Sequence, residues 1–179
     1  SFSYNPIPAS LDLSGLSNLK FLYCYFNNLT SLNLTGCNSL ETVSLNQNYL
    51  TTLDFSGITT LKHLNCQNNF LTTLNLNSTP NLITLLCFSN NLTSLNLDDH
   101  NNLEVLNCSN NLISNLSFNN CPNLNQLRCD SNNLQILNVS NNTHLTQLFC
   151  GNNHLQSLDI SNCSLLNYLN CEANNLLSI

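Results

Sequence analysis

Residues 64–76 read LNCQNNFLTTLNL, a run in which one cysteine sits among regularly spaced leucines and asparagines. Leu64 and Cys66 alternate with Asn65 and Gln67, and period-two alternation is the mark of a strand with one buried face. Asn69 then interrupts, and Leu71, Leu74 and Leu76 resume the apolar series. The pattern recurs along the chain: Cys24, Leu45, Cys66, Cys87, Cys108, Cys129, Cys150 and Cys171 are each 21 residues apart, with no insertion or deletion. Strict self-similarity at such a period predicts a solenoid, in which each coil buries its apolar side only against its neighbours.

With the cysteine column as position zero, leucine (once valine, Val43) recurs two before it and leucine recurs five before it. Asparagine holds plus three without exception, at Asn27, Asn48, Asn69, Asn90, Asn111, Asn132, Asn153 and Asn174. Apolar residues hold plus five, plus eight and plus ten. The unit LxxLxCxxNxLxxLxL, with Cys in the third apolar place, resembles the leucine-rich repeat family over nearly the whole chain. The 21-residue length and the cysteine column more narrowly resemble the internalin J-type repeats of the bacterial internalins.

The expected fold is a β-rich solenoid, a right-handed curved coil with a parallel β-sheet on the concave face. Strands of successive coils are expected to pair at about 4.8 Å, giving a rod roughly 35 to 40 Å long. Segments such as TSLNL and TTLNL predict short extended pieces on the convex face, and 21 residues leave room for little or no α-helix. Gly15, Gly36 and Gly57 at plus twelve, then Ser78, Asp99, Asn120, Asn141 and Asn162, mark a tight turn. The plus-three amides, each with two donors and an acceptor, are expected to satisfy backbone groups of neighbouring coils. Residues 1–18 are expected to form a partial repeat or rudimentary cap, and 19–179 eight repeats, the last incomplete. SFSYNPIP at the start replaces a strand, with Pro6 and Pro8 blunting the edge. The lack of Met and of a basic-then-apolar leader predicts a mature or excised fragment.

Hydrophobic residues make up 42% of the chain, enough for a folded core, while charged residues make up only 7%. A net charge of −6 with three basic residues argues against nucleic acid or an anionic membrane surface as partner. No apolar run approaches the roughly 20 residues of a membrane span, so no membrane insertion is expected. Ten cysteines raise the question of disulfides or metal. Leu45 keeps the register on both sides, so position zero requires apolar volume rather than sulfur chemistry, and no Cys-x-x-Cys occurs. Reduced core thiols, with no metal and no cofactor, are expected. Cys37, Cys121 and Cys163 fall at plus thirteen, alternating with Leu16, Ile58, Thr79, His100 and Asn142, and read as a tolerant, half-buried turn position. His63, His100, His144 and His154 occupy four different repeat positions, read as surface histidines without a nucleophile partner, and the chain is read as not an enzyme. Asp98, Asp99 and His100 form a solvated acidic turn.

If the ladder faces inward, positions minus three, minus one and plus one face outward on the concave sheet. The candidate ligand-binding residues there are Phe21, Tyr23, Tyr25 with adjoining Phe26, His63, Leu86, Phe88, Arg128, Asp130, Phe149 and Tyr168. Exposed aromatic clusters mark interfaces. The resemblance, the low charge and the abundance of Asn, Ser and Thr imply a secreted or cell-surface bacterial protein. The expected function is a non-catalytic, adhesion-type recognition module binding a protein or carbohydrate ligand through the concave face. The alternative is a structural spacer, monomeric or associating end to end through the C-terminal coil of Leu176 and Ile179. A lesser alternative is ice binding through the convex column Thr30, Thr51, Thr72 and Thr93.

Overall fold

The computed structural model describes residues 1–5 and 8–179; Pro6, expected to blunt the first edge, lies outside the described residues. In each coil the three residues before the ladder position form a strand, because the leucine or valine at their centre has an apolar interior to enter. Among the described residues twelve three-residue strands follow in chain order: β1 (Ser10–Asp12), β2 (Phe21–Tyr23), β3 (Ser31–Asn33), β4 (Thr42–Ser44), β5 (His63–Asn65), β6 (Thr84–Leu86), β7 (Ser94–Asn96), β8 (Val105–Asn107), β9 (Asn115–Ser117), β10 (Gln126–Arg128), β11 (Gln147–Phe149) and β12 (Tyr168–Asn170). No helix occurs among the described residues.

Eight of the strands form one parallel sheet in the order β2-β4-β5-β6-β8-β10-β11-β12. The register follows the period, with Thr42, Val43 and Ser44 opposite His63, Leu64 and Asn65. Pairing continues one residue past each strand: the Cys24 N–H reaches the Ser44 carbonyl at 2.8 Å and the Cys66 N–H the Leu86 carbonyl at 2.9 Å. The opposite face is less regular. Among the described residues only β1 with β3 and β7 with β9 pair there, beside a single bridge from Ser157 to Ser178. The expected second extended segments are thus only partly formed, and the coils at 51–55 and 72–76 carry no strand. A curved stack holds ladder spacing on its inner side and spreads on its outer side.

The core runs the length of the coil between these faces. Cys24, Leu45, Cys66, Cys87, Cys108, Cys129 and Cys150 are all 0% exposed, so leucine and cysteine fill the same column. The asparagines at plus three bind two coils together. Asn90 Nδ2 donates to the Cys66 and Cys87 carbonyls, both at 3.1 Å, while its Oδ1 accepts the Leu71 N–H at 3.0 Å. Asn48, Asn69, Asn111, Asn132, Asn153 and Asn174 repeat the arrangement, each spanning its own coil and the one before. Asn27 does the same toward Phe2 and Asn5.

Two expectations need correction. The plus-thirteen position is buried rather than half-buried: Cys37, Ile58, Thr79, His100, Cys121, Asn142 and Cys163 are all 5% exposed or less, with Leu16 alone at 48%. The turn after plus twelve folds this side chain back under the preceding coil, and Cys37 Sγ and Cys121 Sγ lie 3.1 and 3.2 Å from the Leu13 and Leu97 carbonyls. At the start, the segment expected to replace a strand still pairs with the next coil: the Phe2 and Tyr4 N–H groups donate to the Tyr23 and Tyr25 carbonyls at 2.7 and 3.2 Å.

Candidate functional site

Strands β2, β4, β5, β6, β8, β10, β11 and β12 present minus-three and minus-one side chains away from the core, since period two sends the central leucine inward. Phe21, Tyr23 and Tyr168 are exposed, at 55%, 38% and 52%. His63 and Arg128 are exposed as well, whereas Tyr25, Leu86, Phe88, Asp130 and Phe149 are half-buried. The mid-sheet pair Leu86 and Phe88 therefore forms part of the sheet's own surface rather than standing clear of it.

One group is assembled across strands. The Arg128 guanidinium carbon of β10 sits 4.1 Å from the centre of the Phe149 ring of β11. Phe149 in turn stacks on Tyr168 of β12 at 4.7 Å with 25° between planes. Such a cation over a ring is held in place and partly stripped of water before any partner arrives. The other two basic residues lie on another flank, where Lys20 and Lys62 share the one carboxylate of Glu41 at 3.0 and 2.9 Å. Arg128 makes no ion pair among the described residues, so it is the positive point of the sheet face.

Phe26 does not join this face. Its φ of 55° takes the chain off the sheet, and its ring stacks under Tyr4 at 4.7 Å. Two residues that sequence reasoning missed lie near it: Tyr49 and Phe70, 50% and 48% exposed, stacked on each other at 5.9 Å. Both fall at plus four, so the signal was an aromatic pair spaced by one period outside the sheet positions.

The histidines divide. His63, His144 and His154 are at the surface, but His100 is buried at 4% exposure, which corrects its reading as a surface residue. Its Nδ1 lies 3.3 Å from the Asp98 carbonyl, while its Nε2 is buried with no hydrogen-bond partner. The acidic turn beside it has one oxygen of each carboxylate engaged. Asp98 Oδ1 accepts the Ser117 hydroxyl at 2.6 Å and the Asn119 N–H at 2.7 Å, bonds that hold its carboxyl below the usual range. No group of three metal-ligating side chains occurs among the described residues.

All ten cysteines are free, and only Cys171 is even partly exposed. Burial pushes the Cys66, Cys108 and Cys150 thiols up to about 12, and raises Cys87 and Cys129 well above the ordinary value. These thiols are protonated and sealed, without nucleophilic or ligating character.

The same column occurs in a solved structure. The functional domain of InlJ from Listeria monocytogenes, which includes a cysteine ladder, is 33% identical to this chain over 92% of its length, with a TM-score of 0.71. The chain is a leucine-rich repeat protein. It is also similar to YopM from Yersinia enterocolitica, 29% identical over 89% of the chain at a TM-score of 0.75. A leucine-rich repeat protein from Leptospira interrogans is 25% identical over 88% of the chain at a TM-score of 0.79. The leucine-rich repeat chain spans 41%, 34% and 44% of those three structures respectively. No protein-family model matches the chain, and no curated protein matches it.

Proposed function

We propose that this leucine-rich repeat chain is a non-catalytic protein-recognition module of a secreted or surface-exposed bacterial protein, and that it binds its partner through the eight-stranded sheet. The observation that carries this reading is the cross-strand stack of Arg128, Phe149 and Tyr168. Arg and Tyr are the residue types that dominate interface energetics, and here they are fixed by a rigid sheet. Phe21 and Tyr23 supply a second aromatic anchor at the other end of the same sheet, and between them the face is mostly polar and nearly uncharged, interrupted by half-buried Leu86, Phe88 and Val105.

A photoreactive residue placed at Arg128 is expected to crosslink a protein partner that the same residue placed at Ile136, exposed outside the sheet, does not. Arg128→Ala with Phe149→Ser should then weaken binding of that partner by tenfold or more, about 1.4 kcal/mol or above, without lowering the unfolding temperature. Unchanged affinity would place the contact elsewhere.

Leu169, the centre of β12, is 37% exposed, where its counterparts Leu127 and Leu148 are 0%. A further coil of the same polypeptide or a second copy would cover it alike. Sedimentation across a concentration series distinguishes them, since only the second copy makes mass depend on concentration. Ice binding through the threonine column has less support, because Thr51 and Thr72 lie in coils with no ladder on that face, so the hydroxyls form no continuous plane.

A further inference from the structure

The flank where the chain leaves the sheet carries a second cleft, separate from the sheet face. Phe26, Tyr49 and Phe70 stand around it, each between 44% and 50% exposed. The repeat does not require aromatic side chains there. The residues equivalent to Tyr49 and Phe70 in other coils are Asn28, Asn91, Leu112, Asn133, His154 and Asn175, and the coil forms equally well around them. Tyr49 and Phe70 nevertheless lie stacked, 10° apart with centroids 5.9 Å apart, and each keeps about half of its surface open to solvent.

The polar lining is as specific as the apolar one. Asn48 and Asn69, beneath the cleft, spend their amides on the ladder. The side chains of Gln47, Asn68 and Ser89 and the Tyr49 phenol also line it, and they make no hydrogen bond among the described residues. Two unspent amides and two unspent hydroxyls thus surround aromatic rings in a cleft of about 510 Å³, within the roughly 300 to 1,000 Å³ of small-ligand sites. No charged side chain lines it, so nothing there compensates an ionic ligand. A sugar ring has the complementary chemistry: an apolar C–H face to lie on an aromatic ring, and hydroxyls at its rim that both donate to and accept from amides.

We propose that the cleft of Phe26, Tyr49 and Phe70 binds a neutral oligosaccharide, independently of protein recognition on the sheet. The full chain applied to an array of neutral, sialylated and sulfated glycans is expected to retain neutral ones. The best-retained glycan, followed in solution by saturation-transfer NMR, should receive magnetisation at its ring C–H protons. Tyr49→Ala and Phe70→Ala should each weaken it about tenfold or more, and Gln47→Ala, at an exposed residue, should weaken it while leaving thermal unfolding unchanged. Arg128→Ala should leave glycan binding intact. Retention of no neutral glycan, preference for the anionic ones, or affinity indifferent to both Tyr49→Ala and Gln47→Ala would overturn the proposal. So would a neutral peptide library that binds through Tyr49 where the glycans do not.

Discussion

At plus three, one side chain must reach three backbone groups on two coils, and among the natural side chains a primary amide of this length does so with donors and an acceptor together. In Asn90→Leu the Leu71 N–H loses its partner in a dry interior, while the Cys66 and Cys87 carbonyls each lose one of two amide donors and keep the other, from Asn69 and Asn111. An orphaned buried group costs about 1 to 3 kcal/mol, so urea unfolding should show a loss of at least about 1 kcal/mol. Invariance in eight coils made this role legible in the sequence. Plus thirteen was not legible, because Cys, Ile, Thr, His and Asn together resemble a tolerant surface position. What most of them share is a donor aimed at a carbonyl: Thr79 Oγ1 to Leu76 at 2.8 Å, Asn142 Nδ2 to Cys121 at 2.9 Å, and the Cys37 and Cys121 thiols. His100 fits that column worst, with a buried Nε2 left over. His100→Cys copies the neighbouring solution and removes the orphan, and is expected to stabilise the chain by about 1 to 3 kcal/mol in the same unfolding measurement.

At the scale of the element, each strand is only three residues long, and what limits it is a left-handed residue at plus two. Phe26, Gln47, Asn68, Ser89, Asn110, Ser131, Asn152 and Ala173 all have φ between 49° and 57°. The conformation turns the chain off the sheet while each N–H but that of Ala173 still bonds the next coil, as Ser89 does to the Ser109 carbonyl at 3.0 Å. The sequence announces the strands through alternation, and the plus-twelve turn through Gly15, Gly36 and Gly57, whose φ values are 77°, 81° and 79°. It conceals the plus-two turn, because no glycine stands there and the ladder bonds hold ordinary residues in a conformation that costs them roughly 1 to 2 kcal/mol. The same turn explains why the sheet-face candidates were legible by register while Tyr49 and Phe70 were not: they follow the left-handed residue, where period two no longer applies. Ser89→Gly should therefore be neutral or stabilising by up to about 1 kcal/mol despite removing a side chain. Ser89→Val, β-branched in the left-handed region, should destabilise, and the opposite signs in thermal unfolding are the check.

Over the whole molecule, a column of thiols replaces what would otherwise be a continuous leucine stack, and its chemistry shows only when the pH rises. Unfolded thiols lose their protons near the ordinary value of about 9, whereas Cys66, Cys108 and Cys150 in the fold hold theirs to about 12, with Cys87 and Cys129 also raised by burial. Above about pH 9 the unfolded chain therefore binds fewer protons than the native one, and stability falls as pH climbs. The contribution is fully present below about pH 9 and is lost progressively toward about 12. Each thiol held to about 12 accounts for about 1.4 kcal/mol per pH unit, so Cys66, Cys108 and Cys150 together remove roughly 4 kcal/mol by about pH 10, a large share of the stability of a domain, and Cys87 and Cys129 act in the same direction. Under reducing conditions, cooperative unfolding is expected between about pH 10 and 11. Cys108→Leu places in the middle of the ladder the residue that Leu45 shows the column accepts at 0% exposure. If the thiols drive the transition, that variant takes up one fewer hydroxide on unfolding and moves the midpoint to higher pH, which unfolding monitored across an alkaline series at fixed ionic strength will read. An unmoved midpoint with an unchanged pH slope would leave the cysteine column with a packing role alone.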